Sequence, residues 1–484
     1  MKKMIIGGHE SESDAQILIV NPSDLQPVDS VSYTNSTKEI KEAVDMASEA
    51  FTKYSIMPLA SKAEMLKKAA ELIQHDKEQL AVLLAKESGK PISDARTEIS
   101  RAISVFTNSA EEVKTAIEGK TYRPDAYSYP TDNDKRIVLE IREPLGVIGA
   151  ILPFNFPANS FAHKVAPNLA LGNTVIVKPS SQTPLTAIEL AKLMYRAGFP
   201  QGTISVVVGN AEKIGTAMAT DKRISGITFT GSTKTGNAIA ALAYNKKLML
   251  ELGGSDPFIV FEDADLERAA RVGVRARFEY AGQNCNAAKR FIVHERVYDE
   301  FTRRFIGLAG SLRVGNALDG STEMGPLINN SAVQEAKSIV KDTVDKGGKL
   351  LLNRETVNAG QGYFMGPVVI GDADIKSRAM QEETFAPVAP IFKFKSKEEA
   401  VEAANSSQYG LQAAIFTNDI STALDAAKRI KVGAVLINDS TRLRWDTLPF
   451  GGLKDSSIGE REGIRSTAIA FSEAKLISLG AWSH

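Results

Sequence analysis

The stretch Val147–Lys178, VIGAILPFNFPANSFAHKVAPNLALGNTVIVK, decides the fold class of this 484-residue chain. Apolar runs at 147–152 and 174–178 predict two buried strands, and the apolar spacing of 159–171 predicts a helix between them. Strands joined by a helix of this length lie parallel in an α/β sheet. Because such sheets bind ligands beyond the carboxyl ends of their strands, the loop after the first strand is a candidate site.

The same alternation of strands and helices continues along most of the chain. The first series continues with strands predicted at 203–208, 224–230 and 247–252. A second series begins near residue 257, with strands predicted at 257–261, 290–294, 348–352, 389–394, 411–416 and 433–438. Helices precede the first series, with predicted bounds of 37–53, 59–89 and 91–118. The pattern predicts an α/β protein with two Rossmann-like domains.

One segment does not fit this alternation. Residues 122–129 and 136–143 are predicted as strands joined by a polar turn, without a helix to cover them. The apolar, β-prone segment 469–479 could pair with this hairpin. Because unpaired strand edges attract other strands, we expect these segments to form a small β arm that is used in assembly.

Composition narrows the possible partners. Lysine plus arginine and aspartate plus glutamate are equal at 58 each, so no charge bias predicts binding to nucleic acid or membrane. The sequence shows neither a secretory signal pattern nor an apolar run of about 18 residues, and we expect a cytoplasmic protein. The single cysteine excludes an internal disulfide, and the five histidines lack metal-ligand spacing, so no metal is expected.

Two of four notable segments follow predicted strands and could bind a ligand. In PFNFP at 153–157, Asn155 could point its amide into a cleft or could simply form a turn. FTGSTKTG at 229–236 leads into a helix, whose N-terminus favours a phosphate. A Ser or Thr helix cap also explains that segment, and its glycine spacing is not GxGxxG.

The other two segments carry a carboxylate and the only thiol. ELGG at 251–254 puts Glu251 at a strand end, where it is either solvated or buried with the raised pKa of a general base. GQNC at 282–285 puts Cys285 in a loop after a helix, although a lone cysteine is often only a small buried residue. A thiol with a separate carboxylate and an amide donor is the set that acyl chemistry uses.

Together, PFNFP, FTGSTKTG, ELGG, GQNC, EETFAP and NDS…PFGG resemble the aldehyde dehydrogenase superfamily in order and spacing. The resemblance covers nearly the whole chain. It implies that Cys285 attacks the aldehyde carbon and that Asn155, with the Cys285 N–H, stabilises the oxyanion. It also implies that Glu251 activates the water that hydrolyses the resulting thioester.

The resemblance also implies how the chain is divided. A cofactor-binding domain would comprise 1–120 and 142–253, and a catalytic domain would comprise 254–440. An oligomerisation arm would comprise 121–141 and 466–484. Since such arms pair between subunits in this family, we expect a homodimer or a homotetramer.

The implied cofactor is NADP or NAD. The residues that would hold it are Pro153, Phe154, Lys178, Ser181, Gly231, Ser232, Gly236, Leu252, Glu383 and Phe385. Members that prefer NAD often have Glu at the position of Ser181, where it would repel a 2′-phosphate. We therefore expect NADP to be preferred, although Ser181 could be only a turn hydroxyl.

Positions that line the substrate tunnel in the resembling family are polar here, whereas they are aromatic in members that take apolar aldehydes. These candidate substrate residues are His163, Asn284, Asn286, Arg442 and Arg444. A polar tunnel with an arginine suits a short polar or anionic aldehyde. Such substrates are typical of archaeal lactaldehyde, non-phosphorylating glyceraldehyde-3-phosphate and succinate-semialdehyde dehydrogenases. Alternatively, Arg444 only pairs with Glu279 or Asp446.

The sequence departs from the family pattern at three places: Ala386 and Ser457 replace common glycines, and the segment Gly459–Gly463 has one extra residue. The departures at Ser457 and Gly459–Gly463 are expected to affect local alignment rather than catalysis.

Two other functions remain as alternatives. A coenzyme A-acylating relative would typically lack Glu251, and a catalytically inactive structural relative would have lost catalytic residues that are present here.

Overall fold

The computed structural model describes residues 1–354 and 361–480. Its N-terminal part begins with four short strands that the sequence analysis did not assign: Met4–Ile6, His9–Ser11, Ala15–Val20 and Pro27–Tyr33. Four helices follow: Lys38–Tyr54, Leu59–His75, Lys77–Ser88 and Ile92–Ala116. The single helix predicted at 59–89 is therefore wrong, because Asp76 ends one helix and begins the next. Aspartate favours helix ends over helix interiors.

The first sheet has eight strands, and its centre is parallel, as predicted. Their spatial order is His9–Ser11, Met4–Ile6, Ile204–Val206, Thr174–Lys178, Val147–Ile151, Ile224–Thr230, Lys247–Glu251 and Ser457–Gly459. The helices that connect the parallel strands are Pro157–Leu171, Leu185–Arg196, Ala211–Thr220 and Thr233–Leu242. Every residue of Val147–Ile151 and Thr174–Lys178 is buried, because helices cover both faces of such a sheet.

The second sheet has seven strands in the order Lys349–Asn353, Val368–Gly371, Val388–Phe394, Ala288–His294, Asp256–Val260, Gln412–Phe416 and Ala434–Ile437. All neighbours are parallel except the first pair. Its helices are Leu266–Phe278, Tyr298–Ser311, Asn330–Asp345, Arg378–Gln381, Lys397–Asn405 and Ile420–Arg429. The prediction of two α/β domains is confirmed.

A separate three-stranded sheet forms the β arm. Its strand order is Ser472–Leu479, Ile137–Pro144 and Lys120–Tyr122. The predicted pairing of the C-terminal segment with the hairpin is confirmed, and it occurs within one chain. The strand predicted at 122–129 is wrong, because the strand ends at Tyr122 and short 3₁₀ turns follow at Pro124–Ala126 and Asn133–Lys135. Pro124 has no N–H to donate to a strand ladder.

Residues 441–465 return from the second sheet to the first. Ser457–Gly459 pairs antiparallel with Lys247–Glu251, and a short pairing joins Tyr409–Gly410 to Leu453–Lys454. Helix Ile464–Ala470 then leads into the arm. Across residues 1–354 and 361–480, the structure has no helix that is long and apolar enough to span a membrane. The same residues include no cluster of side chains suited to hold a metal ion.

Candidate active site

A cavity of about 1190 Å³ lies where the strands of the two sheets end. It is lined by the strand-end loops at 151–156, 229–235 and 251–252, and by Cys285 and Phe385 from the second series. All of the predicted site residues line this cavity except Gly236 and Asn284. Tertiary folding therefore brings to one place most of the residues that the sequence analysis selected from segments far apart.

Cys285 lies half-buried in a sharply turned loop. After helix Leu266–Phe278, the φ angles of Tyr280, Ala281 and Gly282 are all positive, at 52°, 54° and 74°. Such angles are unfavourable for residues other than glycine and need support from their surroundings. The buried guanidinium of Arg277 supplies it by donating to the main-chain oxygens of Gly282 at 3.1 Å, Thr384 at 3.1 Å and Ala386 at 2.5 Å. The thiol loop is thus tied to the 384–386 segment.

The side chain of Asn155 lies against the same loop. Its Nδ2 donates to the main-chain oxygen of Gln283 at 2.8 Å, two residues before the thiol. The buried Lys90 stabilises the Asn155 loop. Its Nζ donates to the main-chain oxygen of Asn155 at 2.7 Å and to the Glu98 carboxylate. An amide has two N–H donors, so one remains to bind a substrate oxygen.

Glu251 is buried at the end of its strand, with 3% of its surface exposed. Its Oε2 accepts a hydrogen bond of 3.2 Å from Ser457 Oγ, and Ser457 Oγ accepts one of 2.7 Å from the Gly452 N–H. Burial, followed by the nearby Glu462 carboxylate, raises the pKa of Glu251 to about 8. The departure at Ser457 therefore does touch the predicted base, contrary to the expectation that it affects only local alignment.

A buried charge cluster surrounds this carboxyl group. Glu462 pairs with Lys164 at 3.0 Å and with Arg444 at 3.6 Å. Although burial alone would raise the pKa of Glu462, the two cations hold it well below its usual range. Glu462 is therefore ionised, and its negative charge keeps the neighbouring Glu251 neutral until the pH is higher.

The thiol also has an unusual environment. Burial raises the pKa of Cys285 to about 11, and the negative charges of Glu383 and Asp256 act in the same direction. The positive charges of Lys289 and Arg442 oppose this rise. Nucleophilic attack near neutral pH therefore requires groups that favour the thiolate or remove its proton.

One half of the cavity has the features of a dinucleotide site. Helix Thr233–Leu242 begins there, capped by Ser232, and its free N–H groups suit a pyrophosphate. The walls also carry Lys178, Ser181 and Glu212, and burial lowers the pKa of Lys178 to about 8. Glu383 and Phe385 line the same cavity as the thiol. These groups fit the predicted nicotinamide cofactor.

The other half of the cavity is polar, as predicted for a substrate tunnel. Arg442 donates to the Asn286 Oδ1 and pairs with Glu279 at 2.7 Å. His163 Nε2 lies 3.0 Å from Asp446 Oδ1, and the same carboxylate pairs with Arg101 at 2.6 Å. Arg444 has no hydrogen bond within the described residues, and its guanidinium lies 4.2 Å from the centre of the Phe450 ring.

Three details differ from the sequence analysis. Asn284 does not line the cavity, because its buried Nδ2 donates to the main-chain oxygen of Glu279 at 3.0 Å. Gly236 lies one turn into its helix, behind Leu252, where any side chain would overlap that leucine. The suggested partners of Arg444 are wrong: it pairs with Glu462, while Glu279 pairs with Arg442 and Asp446 with Arg101.

Several site residues were missed from the sequence. They are Arg101, Lys164, Lys289 and Glu462, while Asp446 was considered only as a partner of Arg444. Each lies in a segment whose own pattern explains it as an ordinary helix, strand or loop residue. Only Glu462 could have been found from the sequence, because it lies in the Gly459–Gly463 segment that departs from the family pattern. That departure was expected to affect only local alignment.

A cleft that suits a dinucleotide and also holds a thiol indicates a nicotinamide-dependent dehydrogenase. A profile described as "Aldehyde dehydrogenase family" matches residues 9–477. The chain belongs to the aldehyde dehydrogenase family, and it is an NAD(P)-dependent aldehyde dehydrogenase.

Among curated relatives, a lactaldehyde dehydrogenase of Methanocaldococcus jannaschii is 38% identical, with 95% of this chain and 96% of the relative covered. A mitochondrial succinate-semialdehyde dehydrogenase of Oryza sativa is also 38% identical, with 98% and 89% covered. Among solved structures, the glyceraldehyde-3-phosphate dehydrogenase GapN of M. jannaschii, complexed with NADP, matches with a TM-score of 0.90 and 37% identity. That match covers 97% of this chain and 100% of the other.

Proposed function

We propose that this enzyme oxidises a short polar or anionic aldehyde to its carboxylate through a thioester on Cys285. The candidates are lactaldehyde, glyceraldehyde, glyceraldehyde 3-phosphate and succinic semialdehyde. The observation that carries the proposal is the convergence of Cys285, Asn155 and Glu251 on one cavity whose substrate half is polar.

In the proposed mechanism, the thiolate sulfur of Cys285 bonds to the aldehyde carbon, and the carbonyl oxygen becomes an oxyanion. Asn155 Nδ2 and the Cys285 N–H donate to that oxygen. A nicotinamide cofactor, when bound, supplies the hydride acceptor that this oxidation requires. Glu251 takes a proton from water, which attacks the thioester carbon, and the sulfur leaves as thiolate. Removal of one oxyanion donor typically costs about 10²–10³ in rate.

Arg444 is the better of the two arginines to recognise an anionic group. Both Nη atoms of Arg442 already have partners, Asn286 for Nη1 and Glu279 for Nη2, and only its Nε lacks a partner among the described residues. Among the described residues, Arg444 makes one ion pair, with Glu462 at 3.6 Å, and stacks on the Phe450 ring, and Glu462 keeps Lys164 as a closer partner. Arginine's planar fork suits a carboxylate or a phosphate.

We expect Arg444→Leu to raise the KM for succinic semialdehyde or glyceraldehyde 3-phosphate by about tenfold or more, the value of one charged hydrogen bond. The KM for acetaldehyde should change by less than about twofold on the same grounds. Steady-state kinetics with both aldehydes tests this. An equal effect on both, or a higher kcat/KM for hexanal than for the polar aldehydes in the wild type, contradicts the polar-tunnel proposal.

For the cofactor, we propose that NADP is preferred over NAD. Ser181 is small and neutral, and it lines the cavity close to Lys178 in the sequence, so the two can offer a hydroxyl and a positive charge to a 2′-phosphate. Ser181→Glu should shift the ratio of kcat/KM values towards NAD, because a carboxylate repels that phosphate. Ser181→Ala, which adds no charge, is the control and should shift it less. A wild-type kcat/KM that is equal or higher with NAD would refute the preference.

We also propose that the chain assembles as a homodimer or homotetramer through the β arm. The outer strand Ser472–Leu479 leaves an unpaired edge, and Leu476 on it is 65% exposed. Light scattering at micromolar protein should return a multiple of 52.2 kDa, and a monomer mass would refute the proposal. Leu476→Lys should weaken the assembly. The control is Ile56→Lys, which should not weaken it, because Ile56 is 82% exposed and lies outside the β arm.

A further inference from the structure

Lys289 is a fully buried lysine whose side chain contacts the thiol loop, the loop that carries Cys285. Its Nζ donates to the main-chain oxygen of Cys285 at 2.5 Å and to that of Asn284 at 2.7 Å. Its third partner is Glu383 Oε1 at 3.5 Å. The ammonium group therefore makes two hydrogen bonds to the thiol loop and one ion pair with a carboxylate.

Burial of an ammonium group costs desolvation free energy, so the buried position of Lys289 needs an explanation. Burial lowers the pKa of Lys289, while Glu383 and Asp256 raise it and Arg277 lowers it further. The two carbonyls and the Glu383 carboxylate favour the charged form against burial, but neutral packing of the same volume would avoid the desolvation cost altogether. A positive charge at this point can stabilise a neighbouring group that becomes negative.

We propose that Lys289 is a positioning residue that holds the main chain of the nucleophile and stabilises the Cys285 thiolate with its charge. This inference rests on the proposed role of Cys285 as the nucleophile. Because Nζ holds the Cys285 main-chain oxygen, it restrains the main chain from which the thiol side chain extends. Because the side chain of Lys289 is fully buried, its charge is screened less by water than a charge at the surface would be.

The other charges around the thiol make Lys289 the leading contributor. Arg442 is also positive, but its ion pair with Glu279 reduces its effect on the sulfur. Glu383 and Asp256 are the opposing negative groups. Lys289 is thus the main charge that works against burial, which raises the pKa of Cys285 to about 11.

The test is the rate at which iodoacetamide alkylates the enzyme as a function of pH. Cys285 is the only cysteine, so alkylation reports on this thiol alone and needs neither aldehyde nor cofactor. Lys289→Met removes the charge and the donors, while Lys289→Gln removes the charge and keeps an N–H donor. Lys62→Met is the matched control, because Lys62 is also buried and donates to main-chain oxygens, of Ser55 at 3.0 Å and Leu171 at 3.5 Å, away from the cavity.

We expect both Lys289 variants to shift the alkylation profile upward by about one pH unit, since an opposite charge nearby changes a pKa by about 1–3 units. Alkylation near neutral pH should slow by about tenfold, in proportion to the thiolate fraction. Lys62→Met should retain the wild-type profile. A wild-type profile in Lys289→Gln overturns the charge role, even if Lys289→Met fails to fold. A loss of the nucleophile role itself would show separately, as activity retained by Cys285→Ala.

Discussion

Cys285→Ala should lose dehydrogenase activity by at least about a thousandfold, because no other thiol exists to form the covalent adduct. In the proposed mechanism, hydride leaves the aldehyde carbon only after that carbon has become tetrahedral, and the sulfur–carbon bond makes it so. Cys285→Ser should be nearly as inactive, since a hydroxyl is a far weaker nucleophile near neutral pH. Formation of NAD(P)H with the best polar aldehyde measures the loss.

The control for this experiment is cofactor binding. The residues proposed to hold the dinucleotide lie on other segments of the cavity wall, so the Kd for NADP should change little in the Cys285 variants. An unchanged Kd shows that the fold and the cofactor site are intact. A variant that keeps even a tenth of the wild-type kcat would exclude Cys285 as the nucleophile.

Glu251→Gln should leave the first turnover largely intact and slow the later ones by about 10²–10⁴, the usual contribution of a general base. In the proposed mechanism, this side chain acts on the thioester, after NAD(P)H has formed. Rapid mixing should therefore show a burst of NAD(P)H followed by a slow steady state. Glu460→Gln, a change of an exposed glutamate near the same return strand, should behave as the wild type.

The pH dependence of this step has a defined sign. Only the ionised carboxylate accepts a proton, and burial together with Glu462 raises the pKa of Glu251 to about 8. Below that pH most Glu251 is protonated, so thioester hydrolysis in the wild type should become faster as the pH rises and should level off above about 8. In Glu251→Gln this dependence should disappear. A variant with no burst and an unchanged kcat would remove Glu251 from the proposed role.

The fold was largely predictable because its signals are local. In Val147–Lys178, apolar runs and helical spacing define a strand, a helix and a strand without reference to distant residues. The N-terminal strands Met4–Ile6 and Ala15–Val20 were missed because they are short and are stabilised by pairing with other segments. Strand formation depends more on neighbours than helix formation does.

By itself, the sequence determined the α/β class, the family and the candidate thiol, amide and carboxyl, because each motif is a short run of adjacent residues. Only the tertiary structure decided which charges meet. Glu462 beside Glu251, Ser457 on the same carboxyl, and Lys289 beneath Cys285 arise from segments whose spacing in the chain says nothing about their distance in space. The ionisation of these buried groups depends on burial and on neighbouring charge, and both exist only once the two sheets have packed together.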